Sequence, residues 1–362
     1  MNKRIIKRFL ILIISCLLIM GCSVDISDEK NDVTGLSGIE IHYIDVGQGD
    51  ATLIKTDGHA MLIDAGNNSK GTYIQSYLMK EGVSSLDYVI GTHPDADHIG
   101  GIDVAIYNFD CDTIIMPDCE KDTRTYDDVI QTMKNKNYVL TYPEVGTTYK
   151  LGDAEFTIIA PNKNYSSAND NSVGIILKYG NNKFLFTGDA EEEAEEDIIN
   201  NGIDISADVY KAAHHGSRTA STESFMKKVN PKYVVISAGE GNSYGHPHSE
   251  ILNYCRMNNI EVYRTDEMGT IIVNSDGIKI TFNMSSSDSW TPGEESNNNI
   301  DISNNDQETL QGNYIINKNS KKFHKADCSS VKKMTDNNKE YSNLSREELI
   351  EEGYSPCSIC EP

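Results

Sequence analysis

Between Ile39 and about Phe282 the chain alternates short apolar runs with breaks rich in glycine and aspartate. That is the pattern of an α/β domain. Ile41, Tyr43 and the run Ala51–Ile54 predict strands, interrupted by Val46-Gly-Gln-Gly-Asp50. Met61-Leu-Ile63 ends in Asp64-Ala-Gly66, and Tyr88-Val-Ile90 runs into a polar loop. The spacing of Tyr73, Tyr77 and Leu78 predicts a helix over 72–81 that stops at Gly82. Further on, an acidic helix is expected from Glu191 to Ile199, and helices over Ser221–Val229 and Ser249–Met257, the last with Ser249 as N-cap. Strands are expected at 209–213, at Tyr233–Ser237, at Val262–Thr265 and at Thr270–Ile280.

One hairpin pattern occurs twice. Thr52-Leu-Ile-Lys55, Asp57-Gly58 and Met61-Leu-Ile-Asp64 have a counterpart in Ile175-Ile-Leu-Lys178, Gly180-Asn-Asn182 and Phe184-Leu-Phe-Thr-Gly-Asp189. Each second strand delivers an aspartate at its end. Two such halves suggest two facing sheets with their loops gathered along one edge.

The outer parts of the chain differ. Residues 1–22 combine Lys3, Arg4, Lys7 and Arg8 with the apolar run Phe9–Met20 and a final Gly21-Cys22. This has the form of a signal peptide, the run being short for a membrane span. Ile19-Met-Gly-Cys22 resembles a bacterial lipobox, which implies lipidation of Cys22 and a protein held on the outer face of the cell membrane; an ordinary signal or uncleaved anchor is the alternative. Residues 23–37 are a polar, acidic tether, 285–312 a low-complexity linker expected to be disordered, and 313–362 a second small folded segment. The formal charge of −23 becomes −27 once the four basic signal residues are removed. A surface so acidic disfavours tight non-specific binding of nucleic acid, so a polyanionic substrate would have to be held locally, by metal ions and a few basic groups.

The candidate chemistry lies in the breaks. Thr92-His-Pro-Asp-Ala-Asp-His-Ile-Gly-Gly101 sets four ligand-type side chains after one strand. A packed loop tolerates such density where a cation gathers it. Six of the nine histidines fall in three strand-end loops, as His93 and His98, His214 and His215, and His246 and His248.

These stretches resemble the metallo-β-lactamase superfamily, whose metal loop is a His-x-His-x-Asp-His pattern after a strand. More narrowly they resemble the extracellular hydrolase domain of the ComEC/Rec2 competence proteins. The match runs through Asp45-Val-Gly-Gln-Gly-Asp50, the Thr92–Gly101 loop, Asn169-Asp-Asn-Ser172, Thr187-Gly-Asp189, His214-His-Gly-Ser-Arg218 and Tyr244-Gly-His-Pro-His248. The resemblance implies a four-layer αββα sandwich and a dinuclear site. His93 and Asp95 would hold one ion, Asp97 and His98 the other, with Asp189 bridging and His215, or His248 in its place, completing the second. His214, His246 and His248 would contact substrate or move protons, and Asp64 would orient a ligand histidine. Asp95 stands where the family has histidine, which shifts preference from zinc toward manganese. Ser217, Arg218 and Lys211 are either phosphate contacts or ordinary surface groups.

His324-Lys-Ala-Asp-Cys328 and Cys357-Ser-Ile-Cys360 offer three thiols and one imidazole, a set that suits structural zinc; a disulfide between two of the cysteines is the alternative. The segment resembles the small metal-binding domain of Ada-type proteins, with His324 replacing one cysteine. Lys318, Lys321, Lys322, Lys325, Lys332 and Lys333 suit contact with DNA.

The expected function is a metal-dependent phosphodiesterase, a nuclease on extracellular DNA using two zinc or manganese ions. Its partner would be DNA or another phosphodiester polymer; no protein partner is inferred. The alternatives are a cell-wall phosphodiesterase acting on teichoic-acid phosphorylcholine and a surface DNA-binding receptor with a degenerate site.

Overall fold

The computed structural model describes residues 38–293 and, between 314 and 360, all but 326, 327, 329, 335–337, 343–345 and 352. The signal segment with Cys22, the tether and residues 294–312 of the linker lie outside the described residues. The chain divides into two compact units, Met1–Glu295 and Ser296–Pro362.

In the first unit, β1 (Ile39–Tyr43), β2 (Thr52–Thr56), β3 (His59–Ile63), β4 (Ser85–Ile90), β5 (Asp110–Ile115) and β6 (Leu140–Thr141) follow in sequence. Next come β7 (Thr148–Leu151), β8 (Ala154–Ala160), β9 (Gly174–Tyr179), β10 (Asn182–Phe186), β11 (Val209–Lys211), β12 (Tyr233–Ile236) and β13 (Glu261–Arg264). The last are β14 (Ile271–Ser275) and β15 (Ile280–Phe282). One sheet has the order β15-β14-β1-β2-β3-β4-β5-β6, the other β13-β12-β11-β10-β9-β8-β7.

The two halves are built alike. The hairpins β2–β3 and β9–β10 are antiparallel, and each is followed by strands added in parallel. Asp57 and Gly58, with φ of 49° and 79°, make the first turn, whose twist matches that of its strands. At the second, Gly180 has φ 57° and lies so close to Gly277 that a Cβ would stand 2.6 Å from its Cα. Parallel addition aligns strand C-termini, so the loops after β3, β4, β10, β11 and β12 open at one edge.

Three apolar layers separate four structural ones. Ile41, Met61, Phe156 and Phe184 pack between the sheets. Outside the first sheet lie α1 (Gly71–Lys80), the single turn α2 (Ala96–Ile99), α3 (Ile102–Asn108) and α4 (Arg124–Lys136). Ile74, Ile102 and Met133 seal that side. Over the other sheet lie α5 (Glu192–Asn200), α6 (Glu223–Val229) and α7 (Ser249–Met257), sealed by Ile198, Phe225 and Leu252. The result is the αββα sandwich.

Several local expectations are corrected. Residues 285–293 are not a free linker: Trp290 packs on the outer core of the second sheet, and Arg264 donates to the Thr291 carbonyl at 2.6 Å. His248, not Ser249, is the N-cap of α7. The strand expected over 270–280 breaks at Asp276-Gly277 into β14 and β15.

The second unit holds a four-stranded sheet of Tyr314–Asn317, Lys322–His324, Lys339–Ser342 and Ser355–Pro356.

Candidate metal centre

Asp64, at φ 57° after β3, accepts from the Thr92 backbone N–H at 2.8 Å and from the Thr92 hydroxyl at 2.7 Å. This locks the loop after β4 to the end of β3. The Nδ1–H of His98, on α2, donates to the same carboxylate at 2.8 Å. Its Nε2 thereby faces the cluster, 3.3 Å from Asp189 Oδ2, and offers a lone pair to an ion once its proton is displaced.

Asp189 sits in the middle. Its backbone N–H donates to Ser172 Oγ at 3.0 Å. Around its Oδ2 stand His98 Nε2, His215 Nε2 at 3.5 Å, His214 Nε2 at 3.8 Å and His93 Nε2 at 4.0 Å. His214 and His215 follow β11 with φ of 49° and 55°, a left-handed pair that costs non-glycine residues roughly 1–2 kcal/mol each. The strained turn brings both rings to the same edge. His215 is held by its Nδ1–H, which donates to the Ser237 carbonyl at 3.1 Å, and its Nε2 lies 3.4 Å from Asp97 Oδ2.

The arrangement is unsatisfied. Asp50 Oδ1, Asp189 Oδ1, His98 Nε2 and His215 Nε2 are buried without a hydrogen-bond partner among the described residues. Ligand atoms of these four side chains lie within 4.8 Å of one another. Leaving such groups unpaired costs about 1–3 kcal/mol each, so a fold that gathers four of them implies a bound group. Two imidazoles and a set of carboxylates suit a divalent cation.

The electrostatics agree. Burial opposes charge on His215, yet Asp189 and Asp50 outweigh it and raise the ring to about 9. The same contest, with Asp189 and Asp64, raises His98 well above the usual range. Asp97 is lowered to about 2 against its burial, chiefly by His215 beside it and by the positive His98. Asp189 and Asp50 are held low by the surrounding positive groups. By contrast burial and neighbouring His98 push His93 down to about 4, and burial with His215 and His214 pushes His246 to about 3.

The other expected site residues divide. The carboxylate of Asp95 pairs with Lys121 Nζ at 2.6 Å. His214 Nδ1 bonds Glu191 Oε1 at 3.0 Å. His246, itself buried, lies 5.4 Å from His214 and 6.0 Å from His215, ring to ring. His248 stands behind it at 4.8 Å, its Nδ1 accepting from the Arg218 backbone N–H. The Ser217 hydroxyl bonds Thr219 Oγ1 at 2.9 Å within its own turn, and Arg218 reaches Glu250 at 3.5 Å on the surface. Lys211 is no surface group: it is buried and pairs with Asp50 Oδ2 at 2.6 Å. Asp50, Glu191, Gln48 and Lys121 were not foreseen as site residues. Gln48 bridges Gly239 and His246, at 3.2 and 3.4 Å. For Asp50 the signal was present, an aspartate closing a Gly-x-Gly loop at the same sheet edge.

In the second unit the ligand atoms of His324, Cys328, Cys357 and Cys360 also lie within 4.8 Å of one another. The Cys328 and Cys357 sulfurs stand 4.0 Å apart and all three thiols are free, which excludes the disulfide alternative in this structure. Both His324 ring nitrogens are buried without a partner among the described residues.

The profile of the Metallo-beta-lactamase superfamily matches residues 44–240, and the chain belongs to that superfamily. Among curated proteins it is similar to competence-type members: it is 30% identical over 251 residues to ComE operon protein 3 of Bacillus subtilis. It is also 30% identical over 244 residues to Recombination protein 2 of Haemophilus influenzae. Those alignments take in 64% and 65% of this chain but 32% and 29% of the relatives, so the chain spans about a third of the length of the curated relatives it matches. Among solved structures, the metallo-beta-lactamase fold protein YhfI from Bacillus subtilis aligns with TM-score 0.44 and 14% identity, over 66% of this chain and 100% of that one. Fold and site are those of a metal-dependent hydrolase. Among the described residues no helix is long and apolar enough to cross a membrane.

Proposed function

We propose that the chain is a metal-dependent phosphodiesterase, a nuclease that cleaves extracellular DNA, tethered to the outer face of the membrane through Cys22. The observation that carries the metal dependence is the convergence of unpartnered buried atoms from Asp189, His98 and His215, with Asp97 alongside. These residues would hold a divalent ion, zinc or manganese. When bound, such an ion supplies an activated water at neutral pH and a positive centre for the charge that builds on an attacked phosphate.

The chain's own groups do the rest. Asp64 fixes the tautomer of His98, and the Ser237 carbonyl fixes that of His215. Glu191 holds His214 by Nδ1, leaving Nε2 toward the cluster as the group placed to move a proton to the leaving oxygen. His246 and His248, ring to ring at 4.8 Å, would line the approach. A second ion would rest on His93 and Asp189, and would gain Asp95 only after that carboxylate leaves Lys121. In the C-terminal unit a structural zinc on His324, Cys328, Cys357 and Cys360 would order a lysine-bearing segment suited to the DNA backbone.

DNA as substrate rests on the kinship with competence proteins and on that lysine cluster. The purified chain is tested on plasmid DNA, bis-p-nitrophenyl phosphate and p-nitrophenyl phosphorylcholine, with manganese, zinc or EDTA. Metal-dependent cleavage of the plasmid and the simple diester is expected. Turnover of the phosphorylcholine ester alone would reassign the substrate to the cell wall, and no turnover of any would overturn the enzyme.

A further inference from the structure

Asp50 has a carboxylate whose two oxygens are treated differently. Oδ2 is paired with Lys211 Nζ at 2.6 Å, and that ammonium is further fixed by donating to the Ala212 carbonyl at 3.1 Å. Oδ1 is buried and has no hydrogen-bond donor among the described residues. Orienting His215 does not account for it. The Nδ1–H of that ring already donates to the Ser237 carbonyl at 3.1 Å, while Asp50 Oδ1 stands farther off at 3.3 Å and makes no hydrogen bond. A lysine saturates one oxygen; the other stays aimed at the cluster.

The backbone holds it there. The Asp50 N–H donates to the Asp97 carbonyl at 3.1 Å, and the Asp50 carbonyl accepts from Gly66 at 2.7 Å. Gly49, at φ 138°, lies against the same Asp97 carbonyl, where any Cβ would collide with it. The Gly-x-Gly loop is thus pressed onto the metal loop, and its aspartate is delivered with little freedom.

We infer that Asp50 is a ligand of the divalent ion held by Asp189, His98 and His215, offering a single oxygen because Lys211 retains the other. This rests on the metal-dependent reading above. The buried lysine has a clear electrostatic purpose: Asp50, Asp97 and Asp189 together exceed the charge of one divalent ion, and the ammonium offsets the excess.

The test uses the full chain and manganese alone, a hard ion poorly matched to the thiolate site of the second unit. Manganese anomalous diffraction from soaked crystals should place an ion within about 2.5 Å of Asp50 Oδ1, near the usual metal–carboxylate distance. An ion more than about 3.5 Å from that oxygen would overturn the ligand assignment. In solution, free manganese is counted by its EPR signal. Asp50→Asn should bind it at least tenfold more weakly than the unaltered chain. Because that variant leaves Lys211 buried without its carboxylate, Asp50→Asn with Lys211→Met is measured too, with its EDTA-treated melting curve as the control for folding. A folded double variant that binds manganese as tightly as the unaltered chain refutes the inference while leaving the hydrolase reading intact. An unaltered chain that binds no manganese takes both down.

Discussion

The two flanks of Asp189 contrast. On one, His98 and His215 are clamped through Nδ1 by a carboxylate and a carbonyl, and their Nε2 atoms are buried without a hydrogen-bond partner among the described residues. On the other, His93 is bracketed by the hydroxyls of Thr92 and Ser172 at 3.2 and 3.3 Å, and Asp95 has turned to Lys121. Both flanks draw a histidine from the same ten-residue loop, and their residues look equally metal-like in sequence. The difference teaches that ligand-type residues alone do not make an ion site; unsatisfied, pre-oriented lone pairs do.

Removing Asp189 should collapse the contrast. Asp189→Asn keeps the shape but removes the charge shared by both flanks, and hydrolysis of bis-p-nitrophenyl phosphate should fall by at least ~10³-fold, since the nucleophile at neutral pH depends on the ion. Steady-state kinetics with added manganese measures this.

Asp64→Asn should weaken manganese binding by roughly 10–100-fold without touching the ion, because His98 loses the carboxylate that sets its tautomer. Loss of affinity no larger than that of a surface variant such as Asp276→Asn would show that the clamp is only structural.

Protons compete on the clamped flank alone. His215 is raised to about 9 and His98 is raised as well, so protons compete with an ion for this flank. Binding must expel those protons, so manganese affinity should climb as pH rises, up to tenfold per unit for each proton displaced, and level off above about 9. The metal-free fold behaves oppositely. Stability drawn from the charged His215 is full below its ordinary value of 6.5 and fades as pH rises through about 9. Calorimetry in buffers of different ionisation heat counts the protons, and melting curves in EDTA follow the stability.

The smallest effect belongs to the other flank. Asp95→Ala with Lys121→Ala should change affinity for the tightest-bound manganese by less than about threefold, as a half-exposed pair contributes little. A large loss would restore Asp95 to the main site.

Much of this was legible in the chain. The repeated hairpins show in sequence because their turns need glycine and their strands are apolar, and they carry Asp64 and Asp189 to the edge where the metal loop lies. The helix Arg124–Lys136 was passed over although its signals were local, with Thr123 capping its start and Asn137 in a left-handed turn at its end. Residues 285–293 look like linker because a single tryptophan supplies their anchor. Lys211 stands out in sequence only as a phosphate contact or surface group, and Asp50 only as the end of a Gly-x-Gly loop; the meaning of the pair lies in a contact between β11 and a loop far earlier in the chain.

The central claim is that the clamped flank holds the ion that does the chemistry. Hydrolysis of bis-p-nitrophenyl phosphate by the EDTA-stripped chain, with manganese added back and Asp97→Ala beside it, tests it most directly. Activity absent after stripping, restored by manganese and at least a hundredfold lower in Asp97→Ala is the predicted result. Activity that survives stripping, or an Asp97→Ala protein that cleaves like the unaltered one, would contradict it.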